Sequence, residues 1–359
     1  MQTANDGRPQ AMIAMSGGVD SSVAAYLMQQ AGYDCMGVTM KLYENEDAGV
    51  PRGHTCCALD DVEDARRVAY ALGMPYYVFN YKDAFREQVM ARFAAAYQRG
   101  ATPNPCLDCN RYLKFGLLET RARALGCEVL ATGHYARIEQ LPDGRYTLRK
   151  AVDASKDQSY VLAWLTQEQL VHTRFPLGGL HKTEAREIAE AHGFCNAHKH
   201  DSQDICFVPD GDYVGFMERY TGKYYPDGDF VDLDGRVVGR HRGAVRYTCG
   251  QRKGLGLALG APVYVCGKDM EKNTVTVGPE SALFTTTLVA GDFNWISIPE
   301  LTGPMRVKAK ARYRQTEQPA TVRPLDNGLV QVVFDEPQRA ITRGQAVVLY
   351  DGDVVVGGG

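Results

Sequence analysis

Two closely spaced cysteines are the residues of this sequence that could most readily take part in chemistry. Cys106 and Cys109 lie in TPNPCLDCNRY, residues 102–112, behind two prolines. Such a pair can hold a metal ion, cycle as a redox couple or attack a substrate. Cys206, in HDSQDICFVPDGDY, is a third candidate. The polar stretch MQTANDGRPQ lacks the apolar core of a signal peptide, so we expect a cytoplasmic protein with reduced thiols and no membrane partner.

A glycine-rich loop is the most specific short motif in the chain. SGGVDSS, Ser16 to Ser22, follows a short apolar run and opens a predicted helix, which is the setting of a phosphate-binding loop. Gly17 and Gly18 allow a tight turn close to an anion, while serine hydroxyls and the helix N-terminus supply donors. A Walker A loop ends in Gly-Lys-Ser/Thr. The stretch has no lysine, which argues against ordinary γ-phosphate transfer.

Alternating strands and helices must position these residues. Apolar periodicity predicts strands at 11–15, 33–43, 75–81 and 127–136, and helices at 20–32, 59–73 and 114–126. The alternation predicts an α/β fold, a doubly wound parallel sheet with helices on both faces. In such sheets ligands bind beyond the carboxyl ends of the strands.

The sequence also suggests how one cysteine is activated. Asn110 or Asp108 is expected to cap the helix that follows the cysteine pair. Cys109 would then lie at a helix N-terminus, where the dipole lowers the pKa of a thiol.

The pattern changes after about residue 210. Short runs rich in Val, Thr and Tyr, separated by Gly and Pro, predict β structure for the rest of the chain. A chain of 359 residues should form two or three domains. We expect a catalytic domain over 1–210, a small connecting domain over 211–278 and a C-terminal β-barrel-like domain over 279–359.

Two segments of the C-terminal part are basic although the formal net charge is −3. Residues 236–253 hold six Lys or Arg and no acid, and residues 306–323 hold six and one Glu. Each includes a tyrosine, Tyr247 or Tyr313, that could stack on an unpaired base while the cations neutralise phosphates. A solvated surface is the plainer interpretation of such runs.

The glycine loop resembles the PP-loop of the ATP-pyrophosphatase superfamily, whose members cleave ATP between its α- and β-phosphates. Further strings occur in order: TPNPCLDCNRYLKFG, LATGHYAR, KDQSYVL, DSQDICFV, TCGQRKGLG and ARYRQ. Together they are similar to the bacterial tRNA-specific 2-thiouridylases, from about residue 11 to the end. The resemblance implies an adenine-nucleotide alpha-hydrolase-like catalytic domain. It also implies that ATP adenylates the C2 oxygen of the wobble uridine of tRNA and that sulfur replaces this oxygen.

The resemblance gives the cysteines different roles. The family pattern NP-x-x-x-CN makes Cys109 the first catalytic cysteine and Cys206 the carrier of a persulfide. Cys109 would attack that persulfide or resolve it afterwards, leaving a Cys109–Cys206 disulfide. Cys106 is a departure, because many relatives have aspartate there. With Cys106, three thiolates could instead hold a [4Fe–4S] cluster that leaves one iron open to sulfide.

Two other uses of the thiols also fit the sequence. The CNAH segment, 195–198, could complete a Cys₃His zinc set with Cys106 and Cys109. The adjacent Cys56 and Cys57 could be spare ligands.

The resemblance also implies residues for ATP and tRNA, with Asp20 helping to place Mg²⁺. The implied ATP site comprises Ala14, Met15, Ser16, Gly17, Gly18, Val19, Asp20, Ser21, Met40 and Gly133. The implied tRNA site comprises Asn104, Pro105, Cys106, His134, Lys156, Asp157, Gln158, Arg312, Tyr313 and Gln345.

The expected partners are a tRNA with a wobble uridine and a sulfur donor, either a cysteine desulfurase or a relay protein. One alternative is a PP-loop amidotransferase or synthetase that acts on a small molecule, which leaves Cys109, Cys206 and the basic segments unexplained. A second is a tRNA-binding protein without catalysis, against which the intact SGGVDS loop and both cysteines argue.

Overall fold

The computed structural model describes residues 7–44, 58–199 and 205–359. Cys56 and Cys57, proposed above as spare ligands, lie outside the described residues. So do residues 200–204, just before the segment that carries Cys206.

Eighteen strands run along the described chain. In chain order they are β1 (Gln10–Ala14), β2 (Asp34–Lys41), β3 (Tyr76–Asn80), β4 (Val129–Thr132), β5 (Ala136–Gln140), β6 (Tyr146–Lys150), β7 (Thr173–Arg174), β8 (Gly228–Val231), β9 (Val237–His241), β10 (Tyr264–Asp269), β11 (Thr274–Gly278), β12 (Phe284–Ala290), β13 (Asn294–Trp295), β14 (Met305–Lys310), β15 (Gln318–Pro324), β16 (Val330–Arg339), β17 (Val348–Asp351) and β18 (Val354–Gly358).

The α-helices lie mainly in the first 220 residues. They are α1 (Val19–Gln30), α2 (Ala58–Ala71), α3 (Lys82–Phe85), α4 (Arg92–Gln98), α5 (Pro105–Asp108), α6 (Glu119–Ala124), α7 (Gln167–Val171), α8 (Lys182–Ala191) and α9 (Tyr213–Thr221). Two π-helical segments, Arg86–Ala91 and Cys109–Leu118, join α3 to α4 and α5 to α6. Among the described residues, no helix is long and apolar enough to cross a lipid bilayer.

The first unit is a five-stranded sheet in the order β3-β2-β1-β4-β7, and every pairing in it is parallel. This confirms the predicted doubly wound parallel sheet. Side chains alternate along β1, so that Ala11 and Ile13 enter one core and Met12 enters the other. Helices α1, α2 and α8 cover the first face. The π-helical segment that begins at Cys109 covers the second, together with apolar residues of β17 and β18.

Two further sheets form the rest of the chain. The middle sheet has the order β10-β11-β8-β9 and follows α9. The last sheet runs β12-β16-β15-β14-β17-β18-β6-β5, with β13 also paired to β18. The β5–β6 hairpin therefore belongs by hydrogen bonding to the C-terminal sheet, although it immediately follows β4 in sequence. Strand periodicity alone did not reveal this connection between the first and last units.

Two helix predictions are wrong in detail. The helix predicted at 114–126, with a start near Asp108 or Asn110, instead begins at Pro105 and is capped by Asn104, whose Oδ1 accepts from the Cys106 N–H at 3.1 Å. Proline suits this first position because its missing N–H would have no helical partner there. The helix expected to open at KDQSYVL is a short 3₁₀ turn, Ser159–Leu162.

That 3₁₀ turn attaches the first unit to the C-terminal sheet. The Tyr160 side chain is 0% exposed, and its hydroxyl donates to the carbonyl of Ala346 at 2.9 Å. The Asn294 side chain donates to the carbonyls of Ala163 and Leu165, both at 2.9 Å. Buried hydrogen bonds of this kind stabilise the junction between the two units.

We expect Tyr160→Phe to lower the free energy of unfolding by about 1–3 kcal/mol, because the buried Ala346 carbonyl would lose its partner. Tyr224→Phe is the control, since Tyr224 is 77% exposed. Its effect should stay within about 0.5 kcal/mol. Urea denaturation followed by circular dichroism measures both. Equal stabilities of the two variants would contradict the role given to the Tyr160 hydroxyl.

Candidate active site at the carboxyl edge of the parallel sheet

The glycine loop joins the end of β1 to α1 and is closely packed. Gly17 has a φ of +77°, and a Cβ there would lie 2.3 Å from the carbonyl oxygen of Asp61 in α2. The Ser21 hydroxyl accepts from the Ser16 N–H at 3.2 Å and donates to the Gly18 carbonyl at 3.0 Å. These bonds shape a turn whose backbone N–H groups and helix N-terminus can receive an anion.

The implied ATP residues of this loop differ in whether their side chains can reach a ligand. The side chains of Met15, Val19 and Ser21 are buried, so these residues can offer a ligand only their backbone groups. Ser16 is exposed and Gly18 is half-buried. The loop is therefore an anion cradle made largely of main chain.

A segment after α8, which sequence reasoning missed, supports the loop from outside. The Asn196 amide donates to the Gly17 carbonyl at 3.0 Å and to the Ser22 hydroxyl at 2.9 Å. Lys199 Nζ lies 2.6 Å from Asp61 Oδ1 and 2.7 Å from Asp64 Oδ2. These contacts clamp α2 and the glycine loop together.

Asp20, the first acidic residue of α1, is held by two side chains. Lys182 Nζ donates to its two carboxylate oxygens at 2.7 and 2.8 Å, and the Tyr135 hydroxyl donates to Oδ1 at 2.8 Å. Carboxylate oxygens suit Mg²⁺, which commonly takes one or two carboxylates and completes its shell with substrate phosphates and water. Asp20 fits that role.

The turn after β4 packs directly on the glycine loop. A Cβ on Gly133 would lie 2.7 Å from the Ser21 backbone nitrogen, so glycine alone permits the approach. Ala14, Met40 and Gly133 lie at or just beyond the carboxyl ends of β1, β2 and β4, the sheet edge at which the ATP site was expected. Ala14 and Met40 are half-buried there and form an apolar margin.

His134 connects this edge to the cysteine-bearing helix. Its ring lies 5.9 Å from that of Phe115, and its Nδ1 is 2.6 Å from the Thr132 hydroxyl. Burial, with a smaller contribution from the Lys114 charge, lowers the pKa of His134 well below its usual value. The imidazole is therefore neutral near pH 7.

The three candidate thiols influence one another electrostatically. Burial, with smaller contributions from the neighbouring Cys109 and Cys106, raises the pKa of Cys206 to about 12, while Lys114 opposes them. Burial also raises the pKa values of Cys106 and Cys109. The prediction of a lowered Cys109 pKa is thus wrong. The helix begins four residues earlier, and desolvation outweighs the Lys114 charge.

Cys106 and Cys206 are nevertheless accessible from solvent, and Cys109 is half-buried. A thiol at the floor of a recess can be reached by solvent and still have a raised pKa, because the protein walls remove most of the surrounding water. We therefore call the space around these three cysteines the thiol recess. The segment of Cys206 is anchored by Phe207, whose ring lies 5.2 Å from that of Phe93. The Tyr43 hydroxyl also donates to the Cys206 carbonyl at 2.6 Å.

The implied tRNA residues form one group near Cys106 and a second group at the C-terminal junction. The Tyr313 hydroxyl donates to the Asp157 carbonyl at 3.4 Å, and the nearby Cys106 raises the pKa of Tyr313, although less than burial does. Gln158 exchanges hydrogen bonds with the backbone of Tyr135, both at 2.9 Å. Lys156 is half-buried in the same turn.

At the junction, side chains implied in RNA binding contact the protein itself. The Arg312 guanidinium donates to the Ala340 carbonyl and the Thr342 hydroxyl, and Gln345 donates to the Thr102 carbonyl. A cavity of about 420 Å³ opens beside them, lined in part by Asn104, while Pro105 is buried. RNA contact by Arg312 and Gln345 stays a prediction.

Comparison with known families agrees with this geometry. A family model described as the tRNA methyl transferase HUP domain matches residues 9–210. Models described as the tRNA methyl transferase PRC-barrel domain and the aminomethyltransferase beta-barrel domain match 214–279 and 285–359. The tRNA-specific 2-thiouridylase MnmA of Moorella thermoacetica is 53% identical over 350 residues, 97% of this chain and 98% of that protein. MnmA of Clostridioides difficile is 50% identical over 349 residues, 97% and 96% of the two chains.

The chain belongs to the tRNA-specific 2-thiouridylase family. A solved 4-thiouridine synthetase–RNA complex with bound ATP is 20% identical and covers 60% of this chain and 50% of its own, with a TM-score of 0.34. This structural similarity is too limited to add to the family assignment.

The sequence suggested two metal sites for the cysteines, a [4Fe–4S] cluster and a zinc ion. Within residues 7–44, 58–199 and 205–359, no group of three His, Cys, Asp or Glu side chains is arranged to hold a metal ion. A [4Fe–4S] cluster on Cys106, Cys109 and Cys206 stays a prediction.

The zinc alternative is wrong. Cys195 lies 3.8 Å from Asp64 Oδ1, and His198 is 3.5 Å from Glu190. Both side chains of the CNAH segment are thus turned to partners other than the cysteine pair.

Lys114 is a further residue that sequence reasoning missed. Its charge acts on Cys106, Cys109, Cys206 and His134. It follows Cys109 by five residues inside a π-helical segment, where bonds between residues five apart bring such positions to one face. The five-residue spacing in the sequence could not reveal this face, because an ordinary α-helix would place Cys109 and Lys114 on different faces.

We expect Gly133→Ala to lower the free energy of unfolding by about 1–3 kcal/mol, because the added carbon atom overpacks the glycine loop. Gly179→Ala is the matched control, since a Cβ there meets nothing within 4 Å. Chemical denaturation of both variants tests the contact. A Gly133→Ala protein as stable as the control would show that the loop yields without cost.

Alkylation should reveal the protonated state of Cys206. Only the thiolate reacts with iodoacetamide, so the rate at Cys206 should still rise between pH 9 and pH 11 in the folded protein. Mass spectrometry of the Cys206 peptide measures the rate. The same cysteine in urea should level off near its usual pKa of about 8.5. A plateau below pH 9 in the folded protein would contradict a raised pKa.

Proposed function

We propose that this protein is an ATP-dependent tRNA uridine 2-sulfurtransferase that thiolates the wobble uridine. The observation that carries the proposal is the Gly133–His134 turn. Gly133 lies against the glycine loop, and His134 packs on Phe115 in the helix that carries Cys109. One turn thus joins a phosphate-binding loop to a recess of three thiols, which is the arrangement that adenylation followed by sulfur transfer requires.

The first step activates the base. The C2 oxygen of uridine attacks the α-phosphorus of ATP, and the electron pair of the broken α–β bond leaves with pyrophosphate. The glycine-loop N–H groups and the N-terminus of α1 hold the departing anion. Asp20 would hold a Mg²⁺ ion, which when bound neutralises phosphate charge.

The second step transfers sulfur from a persulfide on Cys206. Cys109 either attacks first at the Cys206 sulfur, releasing sulfide that adds to C2, or resolves the bond after the terminal sulfur has added. Both orders expel AMP, break the same S–S bond and leave a Cys109–Cys206 disulfide. A thiol reductant then returns two electrons and restores both thiols.

Two partners follow from this chemistry. The accessible Cys206 must receive sulfur from a persulfide-bearing protein, a cysteine desulfurase or a relay protein. The uridine must leave its stack to reach the recess, where Tyr313 lies near Cys106 and the basic segments can neutralise the RNA backbone. Free thiols fit a reducing compartment, and we place the reaction in the cytoplasm.

The reaction is tested by mass spectrometry of tRNA nucleosides in a strain depleted of the gene. Wild-type protein should restore 2-thiouridine, whereas Cys206→Ala and Cys109→Ala should reduce its rate of formation by roughly 10³-fold or more, as expected when a nucleophile is removed. Cys195→Ala, an exposed cysteine outside the recess, is the matched control and should restore it fully.

Unchanged 2-thiouridine on depletion would exclude the proposed function. Cys106→Ala distinguishes the sulfur routes. A mild loss agrees with the persulfide route, and a loss as severe as that of Cys206→Ala, with iron in anaerobically purified protein, would contradict it.

A further inference from the structure

The glycine loop has no cation of its own. Residues 14–22 contain neither Lys nor Arg, yet the site must bind the polyanionic phosphate chain of ATP. Backbone donors and a helix N-terminus supply partial charges, and a P-loop adds a lysine from its own sequence. The positive charge for this loop must therefore come from another part of the chain.

Lys182 brings such a charge to the loop. It is the first residue of α8, it is 8% exposed, and its ammonium lies on both carboxylate oxygens of Asp20 at 2.7 and 2.8 Å. Its backbone N–H donates to Asp153 Oδ2 at 3.0 Å, which fixes the start of the helix. Buried lysines are rare unless they are paired, so the Lys182–Asp20 contact is a built feature of the site.

Lys199 and Lys182 differ in role. Lys199 holds parts of the protein together, whereas Lys182 can exchange its partner for a ligand. Lys199 bridges two carboxylates of α2, Asp61 and Asp64, and donates to the Gly17 carbonyl at 3.3 Å, so it ties α2 to the outside of the loop. Lys182 instead shares Asp20 with the Tyr135 hydroxyl, which can keep hold of the carboxylate by itself. Asp20 is also the carboxylate that fits Mg²⁺. A carboxylate that turns its oxygens to a cation gives up its bonds to an ammonium group.

We propose that Lys182 is the phosphate-binding lysine of this site, resting on Asp20 until the magnesium complex of ATP arrives. It then donates hydrogen bonds to the phosphate chain. When the uridine C2 oxygen attacks the α-phosphorus, the electron pair of the broken bond goes to pyrophosphate, and the Lys182 ammonium stabilises that charge without giving up its proton. Tyr135 is a positioning residue that holds Asp20 through the exchange. The inference rests on the proposed function, because it assigns a role within the adenylation step.

The test measures ligand binding and adenylation separately in the full-length protein. Lys182→Gln should weaken binding of pyrophosphate and of ATP at least tenfold by calorimetry with Mg²⁺ present, and should leave binding of AMP unchanged. In ATP–pyrophosphate exchange with tRNA its kcat should fall by roughly 10²–10³-fold, the usual effect of removing one preorganised donor. Lys150→Gln is the matched control, since Lys150 pairs with Glu317 outside the site. It should bind and exchange like the wild type.

A merely structural lysine would change the three ligands alike, so equal losses for pyrophosphate and AMP would overturn the proposal. So would wild-type exchange by Lys182→Gln. If that variant does not fold, a crystal structure of the wild-type protein with Mg²⁺ and α,β-methylene-ATP decides. Lys182 still on Asp20, with no phosphate oxygen within hydrogen-bond distance, would exclude the role. Wild-type protein that binds pyrophosphate but shows no tRNA-dependent exchange would instead refute the proposed function.

Discussion

The site depends on the close approach of the Gly133 turn to the glycine loop. A single added carbon atom there would lie 2.7 Å from the Ser21 nitrogen, so the two backbones are as near as glycine allows. Because His134 packs on Phe115 of the cysteine-bearing helix, the same turn sets the distance between the phosphate loop and the thiols. A two-step reaction needs that distance held, since a displacement of about 1 Å can cost roughly 10²-fold in rate.

In the thiol recess, burial favours the neutral form of every titratable group whose pKa it shifts. It raises the pKa values of Cys109 and Cys206 and lowers that of His134, while Lys114 supplies a compensating charge. Neutral thiols react poorly with adventitious electrophiles, because the thiolate is the nucleophile. A persulfide is a stronger acid than the thiol that carries it. A persulfide on Cys206, as proposed above, would therefore ionise more readily than the free thiol in the same buried position.

Sequence reasoning succeeded where the signal was local. Strands β1 and β2 and the helix stop at Gly32, with a φ of +89°, lie where apolar periodicity and glycine placed them. The start of the cysteine-bearing helix was misplaced because Asn104 and Pro105 make a stronger N-terminus than the polar residues after Leu107. Lys182 and Lys199 could not be predicted. They meet the glycine loop from 162 and 182 residues away, and a lysine near a helix carries no sign of what it contacts in three dimensions.

The β5–β6 hairpin is synthesised early but can complete its sheet only after the C-terminal strands have been synthesised. Its sheet partner β18 is translated much later, and the Arg149–Asp353 contact at their border spans 204 residues. Until those residues emerge from the ribosome, one side of the hairpin is an unpaired edge, and unpaired edges invite association with other chains. Closing so long a loop is slow compared with local helix formation. The nascent first unit must therefore wait with an exposed strand, which makes loss of β18 a hazard for solubility.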